Sequence, residues 1–525
     1  MEVQTLVSGS RLVPSRRVVA GPDRNRRGPG DARTGAARPA WTRAAGLIAA
    51  SAALWLATPP GALADSWAFG PLSAQPHPSG VSAELANGSV LVAGGDGTTT
   101  PQGDLLSASG NSFQYSGSML QERIFAAATL LANGRVLIAG GDTALNGSAK
   151  PTAELWRPRN GGTFTATAPM KVARQVFTLT ELPNGRALAV GGSPAFVSGA
   201  GSRTAELYSP AANRWTLTGS MPAGRLGHTA TLLPDCRVLV VGDNQTAVTY
   251  NYVTGRFRAA GSEGSFQRSY HTATLLASGR VLIAGGETYS QKALNTASVY
   301  DPKTGRFRAT ANRMSTPHVQ GFAARLADGR VIVGGGFNSL GKTQAVTDNV
   351  DIYNPATNRW SKAATLPSNS ETVSAEVQTL HSGRVAVMGA GPVGNGSFLY
   401  TPGPVGQPVS PPARDCADLT TIRSAKVSSA WVLRLGVGVP GRGTLSAVAT
   451  APAPVSGQQS IAYGSARTTV PGGGAYRLSI SPGRRARAAL NSGHTLHVTV
   501  RVTFKPPSGA SASTSTKVRV RGRSG

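Results

Sequence analysis

Acidic residues are scarce in this chain: 24 Asp and Glu stand against 52 Lys and Arg, a formal net charge of +28 over 525 residues. Charged residues of both signs reach only 14% and aromatic ones 6%. So few charged helix formers exclude a coiled coil or a helical bundle. Cysteine is nearly missing. Cys236 and Cys416 stand alone, 180 residues apart, and the lack of any CxxC excludes a structural zinc site or a thioredoxin-like motif. A disulfide between them would need an oxidising compartment, and nothing in the sequence brings them within bridging distance, so two unrelated thiols are the favoured expectation. No Ser-His-Asp order, P-loop, HExxH or dinucleotide fingerprint occurs, so no catalytic residues are assigned. Glycine (65) and proline (35), by contrast, are abundant. With 40% apolar residues, that profile fits an all-β chain of short strands and many turns.

The two ends are basic and the centre is nearly ordinary. Residues 1–43 carry nine Arg against three acids, residues 65–410 carry 27 basic residues against 19, and residues 411–525 carry 16 against two. The Arg- and Pro-rich stretch 1–43 has no hydrophobic pattern and is read as disordered. Residues 44–64 have the layout of a secretory signal peptide. Arg38 and Arg43 precede the apolar run AAGLIAASAALWLA, Pro59-Pro60-Gly61 breaks it, and Ala62-Leu63-Ala64 supplies an A-x-A site. Cleavage is expected between Ala64 and Asp65, and the product is expected to be secreted. The competing reading is an anchor, but a span needs about 20 apolar residues and Pro59 stops this run short. No later segment is apolar enough to span a bilayer.

One unit recurs seven times: LANGSVLVAGG (85–95), LANGRVLIAGG (131–141), LPNGRALAVGG (182–192), LPDCRVLVVG (233–242), LASGRVLIAGG (276–286), LADGRVIVGGG (326–336) and LHSGRVAVMGA (380–390). The glycine pairs, with Val241-Gly242 counted as the fourth and Gly389-Ala390 as the seventh, are spaced by 46, 51, 50, 44, 50 and 54 residues. An Asn-Gly or Asp-Gly turn between apolar runs signals a hairpin. A run such as RVLIAGG is apolar on both faces and needs cover on both sides. Units then continue with a strand such as TAELWRP, TAELYSP, TASVYDP or NVDIYNP, and an aromatic opens the last strand at Phe113, Phe164, Trp215, Phe257, Phe307 and Trp360. The double glycine, the Tyr and the spaced Trp resemble the kelch repeat over residues 65–402.

That resemblance implies a seven-bladed kelch β-propeller of the galactose oxidase-like superfamily, with blades stacked radially so that each covers its neighbours. The seventh unit lacks its aromatic last strand, which Asp65-Ser66-Trp67-Ala68-Phe69 is expected to supply. A Pro-rich linker (403–413) follows. Residues 414–525, with alternating runs such as TLSAVAT and TLHVTVRVTF, are expected to form a β-sandwich resembling the immunoglobulin-like modules of secreted bacterial proteins. The alternating Arg residues of this tail are read as the solvated face of its strands.

In kelch propellers the loop entering each innermost strand borders the central opening. Aligned, these loops give the column His77, Arg123, Arg174, Arg225, Arg268, His318, Thr372. Three residues on, a second column holds Phe177, His228 and His271, with Tyr270 just before the last. The arginines would make a positive cup for carboxylate, sulfate or phosphate groups, with binding through His228 tightening as pH falls from about 7.5 to 5.5. The competing expectation pairs each Arg with an acid after a neighbouring glycine pair, among Asp96, Asp142, Asp243 and Glu287. Galactose and glyoxal oxidases share this layout, and the resemblance brings a copper held by two Tyr and two His, one Tyr cross-linked to a Cys. That set does not map onto Tyr270-His271, Cys236, His494 and His497, so no cofactor and no metal ligand is assigned. The sequence reading is an exported, non-catalytic propeller that binds carbohydrate, another extracellular polymer or another protein through its mouth, with no nucleic-acid partner. The alternative is an enzyme on the same scaffold, a copper oxidase or a sugar-modifying enzyme like the kelch sialic-acid mutarotases.

Overall fold

The computed structural model describes residues 65–525 except 96–100, 144–146, 196–200, 265–267, 341–343, 368–371, 391–393, 404–406, 411, 415, 417–418, 454–459, 508–510 and 524–525. The segments read as extension and signal peptide, and Asp96, lie outside the described residues. No helix among the described residues is long and apolar enough to cross a membrane.

The second repeat shows how the sequence makes a sheet. Ala127–Leu130 runs into a turn in which Gly134 adopts φ 76° and Asn133 accepts the Arg135 amide at 3.2 Å. Val136–Ala139 then returns fully buried, and Ala153–Arg157 and Thr163–Thr167 complete four antiparallel strands. Seven such four-stranded sheets span residues 66–401. Their innermost strands touch in succession, and Glu376–Thr379 touches Val81–Glu84, so the series closes into the circle of a β-propeller. At this closing joint the Ser82 hydroxyl donates to Glu376 at 2.6 Å.

The repeated aromatics pair across the two outer strands of a sheet. Tyr208 meets Trp215 at 5.1 Å between ring centroids, Tyr250 meets Phe257 at 4.8 Å, and Tyr353 meets Trp360 at 5.2 Å. Such tilted pairs contribute about 0.5–1.5 kcal/mol beyond their burial. Ser66–Phe69 pairs antiparallel with Gly396–Thr401, so that Trp67 faces Tyr400 at 5.1 Å and repeats the same contact. The Trp67 indole also donates to the Ala364 carbonyl and packs edge-on against Phe322, which ties the last sheet to its neighbour.

The tail forms two sheets, one of Thr421–Val427, Leu433–Val439 and Gly474–Ile480, the other of Ile461–Val470, Gly443–Ala451, Leu496–Lys505 and Ala512–Val520. Leu435 and Val437 of the first and Leu445, Val500 and Phe504 of the second share one core. Sequence reading missed the helix Arg484–Asn491, whose Ala486 and Leu490 are buried. Good helix formers directly after Pro482-Gly483 were the available signal.

One expectation is overturned. Cys236 and Cys416 form a disulfide, with Cα atoms 5.2 Å apart. Cys236 occupies the turn position held by glycine in the other six units and shares its left-handed backbone, at φ 64°. Around the bridge, Leu419 joins a core with Tyr252 and Val253, the Tyr252 hydroxyl donates to Pro440 O at 2.8 Å, and Arg423 donates to Val253 O. The linker is no free spacer either, since the Val409 amide donates to Ala327 O at 2.7 Å. All these contacts lie at the turn-bearing ends of the propeller sheets.

Two outcomes follow. Deleting residues 65–72 uncovers the edge of Gly396–Thr401, and open edges pair with other chains. Loss of Trp67 adds a cost at the low end of the about 3–5 kcal/mol of a buried Trp, because its ring is only half-buried. The truncated protein should aggregate on size-exclusion chromatography, and a monomer melting with the full chain would refute closure by this strand. Replacing Cys416 with Ser should lower unfolding free energy by about 2–5 kcal/mol. A melting temperature equal to that of the wild type, with and without reductant, would show that the bridge does not hold the tail.

Candidate functional site

Each innermost strand is preceded by a residue whose side chain is buried and turned onto its own sheet. Seventeen residues later stands the first glycine of the pair, and in six of the seven units the side chain donates to its carbonyl. The buried Thr372 hydroxyl of the seventh has no hydrogen-bond partner among the described residues. Arg123 reaches Gly140 O at 2.7 Å, Arg174 reaches Gly191 O at 2.6 Å and Arg225 reaches Gly242 O at 2.5 Å, while Arg268 bonds Gly285 O. His77 and His318 use Nδ1 in the same way, on Gly94 O at 2.7 Å and Gly335 O at 2.9 Å. Meanwhile the main-chain carbonyls of the arginines and of His318 accept an amide of the preceding sheet, from Gly95, Gly141, Gly192, Asp243 and Gly286 at 2.7–2.9 Å. In five of the seven units one residue thus bonds two adjacent sheets.

The acids that partner these side chains are not those after the glycines. Arg123 pairs with Glu154 at 2.9 Å, Arg174 with Glu206 at 3.1 Å, His77 with Asp104 at 3.1 Å and His318 with Asp351 at 3.4 Å, all on the third strand of the same sheet. Arg268 pairs instead with Glu263 at 3.0 Å. The four arginines are no more than 2% exposed. Their guanidinium groups therefore serve the sheets and do not form the open positive cup that the sequence suggests.

The second column is buried as well. Phe177 lies in a core cluster with Ala139 and Met170. His228 and His271 bond hydroxyls of the preceding sheet, Thr178 at 3.2 Å and Thr229 at 2.9 Å, through Nε2. A Cβ on Gly191, at φ 66°, would come within 2.5 Å of the His228 ring, so this imidazole can sit in the joint only because that residue is glycine. Burial, with Arg225 adding repulsion, pushes the His228 pKa down to about 3, and burial next to Arg268 holds His271 well below the usual range. His228 is neutral from pH 7.5 to 5.5, which removes the expected acid-side tightening.

Between the two columns lies a third that sequence reading missed apart from Tyr270. Two residues after each His, Arg or Thr stands a left-handed residue: Ser79, Phe125, Val176, Gly227, Tyr270, Gln320 and Ser374, with φ between 52° and 60°. Their main chains bond one another at five of the seven joints. Phe125 N donates to Ser79 O, Val176 N to Phe125 O, Tyr270 N to Gly227 O, Gln320 N to Tyr270 O and Ser374 N to Gln320 O, at 2.7–3.2 Å. A residue that bonds its counterparts on both sides sits on the rim of the central opening, and the six side chains are partly exposed there. Left-handed Phe, Val and Tyr are uncommon and persist only where the surroundings over-determine them.

The rim is least regular at the fourth and fifth units. Unit four has no third-strand acid, and burial lowers the Arg225 pKa to about 10 despite the nearby Asp243. Asp243 itself replaces the second glycine, accepts the Leu226 amide at 2.7 Å, and is raised by burial to about 6. Burial raises Glu287 to about 7. Both carboxylates act on Tyr270, whose hydroxyl is driven above its usual range by burial and by their charge. The Tyr270 ring lies over Gly227, where a Cβ would meet it at 3.1 Å. Among the ten residues singled out from sequence, only Tyr270 is not buried.

The buried imidazoles give a measurable outcome. An unfolded His titrates near 6.5, whereas His228 folds with a value of about 3, so the unfolded chain binds the extra proton and stability falls as pH drops below 6.5. Each such group contributes up to about 1.4 kcal/mol per pH unit. The pair His228→Gln and His271→Gln should be less stable at pH 7 yet lose less melting temperature between pH 6.5 and 4 than the wild type. Parallel pH profiles would show that these imidazoles are protonated in the folded protein.

A family model, the Kelch motif, matches residues 320–367. Among solved structures, the chain is similar to a fungal alcohol oxidase of the AA5 family in complex with copper, with a TM-score of 0.52 and 17% identity over 86% of this chain and 99% of that one. No curated protein matches the chain. The copper of that enzyme finds no matching donors here. His271 is bonded inside a sheet joint, Cys236 is bridged to Cys416, and no group of three His, Cys, Asp or Glu among the described residues is arranged to hold a metal. What the chain carries is a kelch motif on a β-propeller fold similar to that of the fungal AA5 alcohol oxidase.

Proposed function

We propose that the chain is an exported, seven-bladed kelch propeller with an immunoglobulin-like tail, and that it binds carbohydrate at the Tyr270 side of its mouth. The observation that carries this reading is the left-handed rim. It presents one aromatic ring beside two partly exposed carboxylates, Asp243 and Glu287, with the amide of Gln320 next along the circle. An aromatic face with convergent hydrogen-bonding groups suits a polyhydroxylated ring. With the arginines buried, such a seat favours a neutral sugar over an anion. Export is supported by the Cys236–Cys416 bridge, since disulfides persist in oxidising compartments.

A sugar-modifying enzyme on this scaffold is the second reading. Asp243 and Glu287 support it, because carboxyl groups titrating near neutrality serve as general acids and bases. Product formation by a bound sugar in the binding assay would favour it.

Screening the full chain against neutral oligosaccharides tests the proposal. Tyr270→Gly keeps the backbone that glycine already adopts at 227, so it should fold normally and bind at least tenfold more weakly. Affinity should rise as pH goes from 5 to 8, because Asp243 and Glu287 gain charge as they ionise around about 6 and about 7 and then accept sugar hydroxyls more strongly. Binding that is indifferent to Tyr270→Gly, or tighter at pH 5, would rule out this seat.

A further inference from the structure

The tail carries a second, chemically different surface. Between residues 419 and 525 there are fifteen Arg and Lys and no Asp or Glu. The sheet of Ile461–Val470, Gly443–Ala451, Leu496–Lys505 and Ala512–Val520 buries alternate residues, such as Val498, Val500 and Val502, in the tail core. Its other face therefore presents Arg467, Arg501, Lys505, Lys517 and Arg519, with Arg519 opposite His497 and the remaining positions mostly Ser and Thr. None of these cations takes part in an ion pair among the described residues.

At one corner of this face the basic run meets an aromatic ring. Trp431 sits in the turn between Thr421–Val427 and Leu433–Val439, in a left-handed conformation at φ 61° that a bulky residue rarely adopts. Two bonds hold it there: its indole donates to Arg521 O at 2.9 Å, and its own carbonyl accepts the Tyr463 hydroxyl. The Arg523 guanidinium stands 5.4 Å from the ring centroid. Val427, Ser428, Ser429, Trp431, Arg519 and Arg521 line a cleft of about 480 Å³. Part of the indole packs against the tail core, and the rest is held at the cleft beside the arginines.

We propose that this corner binds an anionic polysaccharide, with the Trp431 ring against a sugar face and Arg519, Arg521 and Arg523 taking its sulfate, phosphate or carboxylate groups. Lys517 and Arg519, alternate residues of one strand, stand roughly 7 Å apart on one face, and Arg521 lines the cleft beside Arg519, so a repeating chain can pass from one cation to the next. Each guanidinium can grip an oxyanion through two parallel donors. The acid-free sheet extends the track beyond the cleft.

Dextran sulfate, with unmodified dextran as the neutral control, tests this on the full chain at physiological salt. Dextran sulfate should bind more tightly than dextran, and any binding of dextran at the mouth should be the same in the tail variants as in the wild type. Trp431→Gly keeps the left-handed backbone and should weaken binding at least tenfold without altering its salt dependence. The double variant Arg519→Ser, Arg521→Ser leaves the Arg521 carbonyl in place and should weaken binding at least tenfold while flattening the salt dependence. Unchanged affinity in either variant overturns the proposal. So does tighter binding to phosphatidylglycerol vesicles or duplex DNA than to dextran sulfate, which would mark a membrane or nucleic-acid surface. The probe is anionic and the variants lie in the tail, so the outcome is independent of the mouth.

Discussion

The contact on which the propeller depends is a buried Arg or His donating to a glycine carbonyl seventeen residues ahead of it. The double glycine turns the main chain sharply at the end of each buried strand and leaves a carbonyl in the interior that needs a donor. Arg or His supplies it. A buried guanidinium then calls for a carboxylate, which Glu154 and Glu206 provide from the third strand, where Asp104 and Asp351 bond the histidines. Because the same residue accepts an amide of the preceding sheet through its carbonyl, one side chain sets both the fold of its own sheet and the joint to the next. Joints of this kind also fix where the rim backbone must turn left-handed, two residues further on.

This arrangement explains which parts were legible in the sequence. The repeat, the hairpin turns and the pairing of Trp67 with the last sheet follow from spacing, turn residues and aromatic position, which are properties of the linear text. The Arg and His column was visible too, but its direction was not. Every one of the four guanidinium groups turns onto its own sheet to reach the glycine carbonyl, Arg225 without any third-strand acid, and nothing in the linear text marks that carbonyl as needing a donor. The left-handed rim was hidden for a different reason. Phe, Val and Tyr do not signal such a backbone, and only the hydrogen bonds around the circle impose it. For the disulfide, the one available signal was a cysteine standing where six other units use glycine.

Sevenfold repetition separates architecture from function at the mouth. Positions that keep their chemistry in most units, the cations and the glycines, are consumed by the joints. Unit four departs from the pattern several times at once: it has no third-strand acid, Asp243 in place of a glycine, and Gly227 on the rim. These departures fit together physically. A glycine at 227 makes room for the Tyr270 ring, and Asp243 places a carboxylate beside it in partial exposure, where burial keeps it near neutrality.

The disulfide decides how the two ends of the propeller are used. Cys236, Val253 and Ala327 all lie at the turn-bearing ends of their sheets, whereas the rim lies at the ends where the glycine pairs stand. A four-residue innermost strand separates the two, so the tail is fastened opposite the mouth and leaves the rim uncovered. Charge is divided in the same way. The propeller cations are neutralised inside its joints, while the tail has no carboxylate after residue 419 with which to neutralise its own. A neutral sugar at the rim and a polyanion at the tail would therefore meet the molecule on separate surfaces, each with the electrostatics its ligand requires.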